Sequence, residues 1–183
     1  DLLKKNDKSI SIYYGKPVKV FSELIKKYNV SKVYSNKDYT PYSIKRDKKV
    51  EELLKVNNIV FNSFKDHVLF EKFEIVKNDN TPYKVYTPFS RKWLIKMSEN
   101  KIDFFNSEKY IYKFFNERGK FLTLKEIGFD KSKLNPLVLN LSSDTINNYE
   151  KTRNFPSVNG TSKIGIHLRF GTISTREMIA KAE

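Results

Sequence analysis

Apolar residues first recur at a period of two. In SISIYYG, residues 9–15, Ile10, Ile12 and Tyr14 alternate, which predicts a strand broken by Gly15. The period then lengthens. Pro17 suits the first turn of a helix, and Val18, Phe21, Leu24, Ile25 and Tyr28 fall on one helical face. VSKVYS over 30–35 predicts a second strand. YSIKRDKKVEELLKVNN over 42–58 predicts a helix with Ile44, Val50, Leu53 and Leu54 turned to the core. IVFNSF over 59–64 predicts a third strand. Strands and helices alternating at this spacing imply a parallel sheet covered by helices, an α/β fold.

Beyond residue 76 the pattern loosens. KNDNTP over 77–82 is a polar turn, and YKVYTPFSRKW follows at 83–93. From 94 to 140 the signals are mixed: helical RKWLIKM runs in from residue 91, then come aromatic YIYKFF and LTLKEIGF. This stretch is expected to be a connection between domains. From 141 to 183 the pattern is helical. Ser174 and Glu177 have capping-box spacing at the start of TREMIAKAE, which carries no stop signal. The opening scrap DLLKKN is helical, and a parallel sheet wants more than three strands. The expectation is therefore a portion of a larger protein: an N-terminally shortened α/β domain over 1–93, a linker over 94–140, and the start of a helical domain over 141–183.

Composition narrows the chemistry. Of the 183 residues 39% are hydrophobic, enough for a core, and no window approaches a membrane span, so a soluble, cytoplasmic protein is expected. There is no cysteine, hence no disulfide, thiol nucleophile or thiolate metal site. His67 and His167 alone make a poor metal site. The formal net charge of +14 permits a polyanionic partner. It is carried almost wholly by Lys, however, and Asn and Ile are also abundant, a bias that AT-rich coding produces without any nucleic acid partner. Phosphate recognition favours the scarcer Arg.

Two stretches carry candidate chemistry. Ligands of open α/β sheets bind beyond the carboxyl ends of the strands. SNKDYTPY (35–42) sits there, so Asn36, Lys37 and Asp38 are candidates for a polar ligand. The competing reading is a turn whose Asx and Pro residues merely start the next helix, and spacing alone favours it. In NYEKTRNFPSVNGTSK (148–163), Thr161 or Ser162 is placed to cap the following turn. With Lys163 and free backbone N–H groups this makes a phosphate cradle, or simply an ordinary capped helix. Arg169 and Arg176 suit phosphate contacts or structural ion pairs. No Ser/His/Asp arrangement, P-loop or dinucleotide glycine fingerprint is legible.

YSNKDYTPYSIKRD, VYTPFSRKW, NYEKTRNFP and GTSKIGIHLRFGTISTRE occur in the order found in DNA photolyases and cryptochromes, and the chain resembles that family over nearly its whole length. The combination of TPF..KW with GTS.....LRFG.IS.R is specific. The resemblance implies a doubly wound, Rossmann-like N-terminal α/β domain, a linker, and the first helices of an all-α domain that holds FAD. It implies that the Thr-Ser corner wraps the FAD pyrophosphate, with Thr161, Ser162, Lys163, Ile164 and Gly165 as flavin contacts and Tyr149 as another. Arg153 maps to the DNA-facing rim of the flavin cavity. Asn36 and Lys37 map to the edge of a pocket for a folate or another antenna chromophore. The family pattern commonly has Ser where this chain has Gly165 and often Pro where it has Ile166, so a hydroxyl contact is lost while the backbone N–H remains.

The activity so implied is light-driven, FAD-dependent repair of cyclobutane pyrimidine dimers in DNA by a monomeric lyase. The dimer pocket and the electron-transfer tryptophans are expected beyond residue 183, so no catalytic residue is assigned here, and Trp93 is expected to pack. A cryptochrome-type blue-light receptor and a non-catalytic nucleotide-binding α/β module are the alternative readings.

Overall fold

A computed structural model describes residues 2–114, 122–135 and 137–182. The chain ends Asp1 and Glu183, Phe115 of the YIYKFF stretch, and residues 116–121 and 136 of the expected connection lie outside the described residues. The described chain forms two compact units, residues 1–131 and 132–183. Among the described residues no helix is long and apolar enough to cross a membrane.

The first unit begins with a single helical turn, α1 (Leu2–Lys5), and an irregular stretch that leads into α2 (Pro17–Lys27). Pro17 opens α2, where its missing N–H costs no helical hydrogen bond. Val18, Phe21 and Ile25 recur every three or four residues and pack on the core. Strand β1 (Lys32–Asn36) follows, then α3 (Pro41–Val56) and β2 (Val60–Phe64). The strands are parallel, with Lys32 opposite Val60 and Asn36 opposite Phe64. Val33 and Phe61, partners in register, face the helices. Tyr34 and Phe64 stack 6.1 Å apart on the opposite face.

Both ends of α3 are written in local chemistry. Thr40 Oγ1 accepts from the Ser43 N–H at 3.3 Å and Pro41 occupies the first turn. At the other end Asn58 takes a left-handed φ of 57°, the Ile59 N–H donates to the Leu54 carbonyl and the Asn58 N–H to that of Lys55. This Schellman pattern brings Ile59 against Leu54, and both are buried with Val50 in the core. The helix therefore stops at Val56, two residues before the expected end.

Two expectations from periodicity fail here. Residues 9–15 form no strand and join no ladder among the described residues. Alternation sets a dihedral preference, whereas a strand also needs a free neighbouring edge within reach, and Ile10, Ile12 and Tyr14 are all left exposed. Ile44 is 56% exposed instead of core-facing. The inward stripe of α3 runs Ser43, Val50, Leu54, and Ile44 stands one residue, about 100°, round the helix from it.

After β2 a polar cluster ties the following loop to α4 (Tyr86–Glu99). The Trp93 ring meets Phe70 edge-on at 5.6 Å, the packing role expected of it. The Lys96 ammonium donates to the Glu74 carbonyl at 3.0 Å, and Lys65 pairs with the Glu74 carboxylate at 2.9 Å. The polar turn forms as expected, closed by the Lys77 N–H on the Thr81 carbonyl and by the Asp79 carboxylate on Thr81. Helix α4 runs unbroken through residues 93 and 94.

Among its described residues the second unit holds four short helices: α5 (Ser143–Asn147), α6 (Tyr149–Thr152), α7 (Ile164–Arg169) and α8 (Thr175–Ala182). Ser142 caps α5 by accepting from the Thr145 N–H, and Ser174 caps α8 by accepting from the Glu177 N–H at 3.4 Å. The Glu177 carboxylate is drawn forward to Lys181, four residues on, at 2.7 Å.

Candidate functional site

In the second unit the loop from 153 to 160 returns the chain to where it left α6. Thr152 makes the return. Its hydroxyl lies 3.0 Å from the Asn148 carbonyl and 3.1 Å from that of Gly160, and its single hydrogen serves one at a time. Gly160 is buried, and a Cβ there would collide with Oγ1 and Cβ of Thr152. Glycine at 160 is thus a requirement of close approach. The closure sets residues 161–165 beside α5 and α6.

Asn140 completes the frame. Its N–H donates to the Ser162 carbonyl at 3.0 Å, and its side-chain amide donates to the buried Thr145 hydroxyl at 2.8 Å and accepts from the Ser142 N–H at 3.1 Å. Ser162 is held by its carbonyl, which leaves its hydroxyl uncommitted to capping. The N-cap of α7 falls on Lys163 and not on Thr161 or Ser162 as expected. Lys163 adopts φ 56°, ψ 22°, a left-handed conformation that a residue with a Cβ takes at a cost of about 1–2 kcal/mol. That bend, one residue later than expected, is what starts the helix. A left-handed residue followed by helical ones turns successive N–H groups towards one side, a concavity that suits anions.

Beside this corner lies a cleft of about 590 Å³. Tyr149, Ser162 and Ile164 of the sequence-derived candidates line it, with Leu141, Met178 and Lys181 among the others. Thr161, Lys163 and Gly165 flank these in sequence and are not part of its lining. Around Gly165 nothing lies within 4 Å of where a Cβ would stand, so the position has room for a side chain. Arg153 stands exposed at the end of α6, its N–H on the Tyr149 carbonyl at 2.9 Å, outside the cleft lining. Sequence reasoning missed Asn140, Thr152 and Lys181. Asn140 and Thr152 also bond locally, to Ser142, Thr145 and Asn148, but the contacts that join them to the corner, with Ser162 and Gly160, reach 22 and 8 residues along the chain. Lys181 was legible only as one of many lysines.

In the first unit, the loop after β1 behaves as the starting turn of α3. Asp38 accepts from the Thr40 N–H at 3.0 Å and from the Ser43 hydroxyl at 2.8 Å, and these bonds hold its carboxyl below its ordinary pKa. Asn36 and Lys37 are engaged by Asp66 at 2.9 Å and Glu71 at 3.1 Å. Lys37, but not Asn36, borders a second cleft of about 780 Å³, with Tyr39, Phe70 and Glu71. The Tyr39 hydroxyl is shielded from solvent, with Glu71 nearby but no partner at full hydrogen-bonding geometry among the described residues. Burial first, and then the nearby Glu71 and Glu74 carboxylates, push its pKa up to about 12.

Residues 1–105 match the family model for DNA photolyase. The chain is 26% identical over 190 residues to a deoxyribodipyrimidine photo-lyase of Alkalihalophilus pseudofirmus, covering 97% of this chain and 40% of that protein. It is 26% identical over 172 residues to the Escherichia coli deoxyribodipyrimidine photo-lyase, covering 88% and 36%. Its fold is similar to that of a class III photolyase from Agrobacterium tumefaciens, at a TM-score of 0.71 and 19% identity over 98% of this chain and 40% of that one. It is also similar to an archaeal photolyase from Sulfolobus tokodaii, solved with two FAD molecules, at a TM-score of 0.59 and 23% identity over 97% and 39%. The chain thus spans about 40% of the length of these relatives.

Proposed function

Since this chain belongs to the DNA photolyase family, we propose that it is the α/β portion and flavin-phosphate corner of a deoxyribodipyrimidine photolyase. The complete protein would repair cyclobutane pyrimidine dimers in DNA with light and FAD. The observation that carries the reading is the left-handed Lys163 between Ser162 and Ile164, both on the cleft wall. A strained non-glycine residue persists where its surroundings over-determine it, and such residues gather at ligand clamps. Here the bend aims the N–H groups of residues 163–165 together, a match for the doubly charged pyrophosphate of FAD. The hydroxyls of Thr161 and Ser162 and the ammonium of Lys163 would add charge-assisted contacts. Tyr149 and Ile164 would supply apolar area to the cofactor. When bound, the flavin supplies one-electron photochemistry; the chain's own part is to bind, orient and exclude water.

Arg153 is assigned to the DNA strand, because it is exposed, lies off the cleft lining and caps the C-terminal end of the short helix that Tyr149 begins. The +14 charge would add lysine–phosphate attraction that weakens steeply with salt. Asn36 and Lys37 are assigned to the edge of an antenna site, with Lys37 bordering the cleft at Tyr39 and Phe70.

The test uses the full-length protein. Thr161→Ala with Ser162→Ala should loosen FAD by tenfold or more, since hydrogen bonds to charged groups contribute roughly 1.5–3 kcal/mol each. Arg153→Ala should leave FAD bound, weaken binding of dimer-containing DNA and lower its salt slope by about one unit. Flavin absorbance, DNA affinity across a salt series and blue-light repair of a dimer-containing oligonucleotide read all three. Flavin-free purified protein, or repair that proceeds equally in the dark, would defeat the reading.

A further inference from the structure

Helix α7 has six residues, too few to persist without tertiary support. Its support comes from the segment 137–141. The Asn140 N–H holds the Ser162 carbonyl at one end of the turn. At the other, Nε2 of His167 lies 3.0 Å from the Leu137 carbonyl, thirty residues earlier. A carbonyl only accepts, so Nε2 must carry a hydrogen. Nδ1 lies 2.9 Å from the Thr172 hydroxyl, whose single hydrogen serves either Nδ1 or the His167 carbonyl at 3.3 Å, and the Thr172 N–H donates to that same carbonyl at 3.0 Å. The ring is therefore bonded at both nitrogens and its orientation is set.

The positions of these contacts give the ring a task. Ile164, one turn before His167, and Leu141, four residues after Leu137, both line the cleft. We infer that His167, in its Nε2–H tautomer, is a positioning residue that pins α7 to the segment 137–141 and so holds the turn at 163–165 in aim. The inference rests on the flavin-phosphate reading for what the turn binds, but the pin itself does not.

The chain has two histidines, so long-range 1H–15N correlation on histidine-labelled protein resolves the tautomer, expected at His167 with hydrogen on Nε2. Amide exchange then separates the variants. His167→Ala should speed exchange at residues 162–165 by about tenfold. His167→Gln places an amide near the position of Nε2 and should restore slow exchange. His167→Asn reaches only the position of Nδ1 and should behave like the alanine variant. In the full-length protein, flavin retention should follow the same order. A bare Nε2, rescue by Asn equal to that by Gln, unchanged exchange in His167→Ala, or flavin retention that ignores the exchange pattern would each overturn the inference. A wild-type full-length protein that held no flavin while the exchange pattern appeared would leave the pin standing and remove the flavin reading.

Discussion

In residues 1–131, Val50, Leu54 and Ile59 meet between α3 and the sheet, with Val18, Phe21, Ile25, Val33 and Phe61 packed round them. In residues 132–183 the buried residues among those described are Thr145 and Gly160, one a hydroxyl hub and the other a point of backbone contact. The first region is organised by removing apolar area from water, a non-directional force that tolerates small shifts. The second is organised by hydrogen bonds of defined direction, each worth little net and dear to leave unmade. The proposed flavin-phosphate corner, which has to aim backbone N–H groups, gains from the second kind of order. Its apolar groups, such as Ile146 and Tyr149, at 48% and 49% exposure, are left on the cleft wall.

The largest effect should come from the core. Leu54 is completely buried, and Leu54→Ala should cost about 2–5 kcal/mol in urea unfolding followed by the fluorescence of Trp93. A cost under about 1 kcal/mol would mean that burial does not dominate the first unit. Next is Gly160→Ala, which forces a Cβ into Thr152 and should cost about 1–3 kcal/mol, read as lost amide protection over 145–165. Adding Thr152→Ala should not relieve it, because the Cβ of residue 152 is itself in the way. Full rescue by that change would break the close-approach argument.

The smallest effect sharpens the comparison from the other side, since the first unit also owns directed polar devices, Asp38 at the start of α3 among them. The Thr40 N–H and the Ser43 hydroxyl lower the Asp38 pKa below its ordinary value of 3.8. A folded pKa lowered in this way gives stability that is present above 3.8 and lost as pH falls through the lower folded value. Acid titration should therefore fray the start of α3 below that pH, and Asp38→Asn should flatten the dependence. An unchanged acid profile in Asp38→Asn would show the carboxylate idle.

The sequence by itself determined whatever depends on neighbours within a few residues. Pro17 and Pro41 open their helices, Ser174 caps α8, and the polar stretch at 77–82 turns, because each acts within a few positions of itself; the Thr40 cap and the Asn58 stop are as local, although the apolar period carried the expected helix to residue 58. The strand–helix–strand order and the parallel pairing of β1 with β2 were legible for the same reason, as period and connection length constrain them. The Tyr149 and Ser162 candidates were legible through motif resemblance. The tertiary structure alone decided the rest. Residues 9–15 alternate yet join no ladder among the described residues, since pairing needs an edge that period does not supply. Ile44 faces out because the direction of an apolar stripe is set by the partner it meets. The cap of α7 moved to Lys163, and Thr152, Asn140 and His167 joined the frame of the candidate site through bonds to atoms 8 to 30 residues away. Closing such loops costs chain entropy, which only the assembled set of contacts offsets, so no single residue announces them.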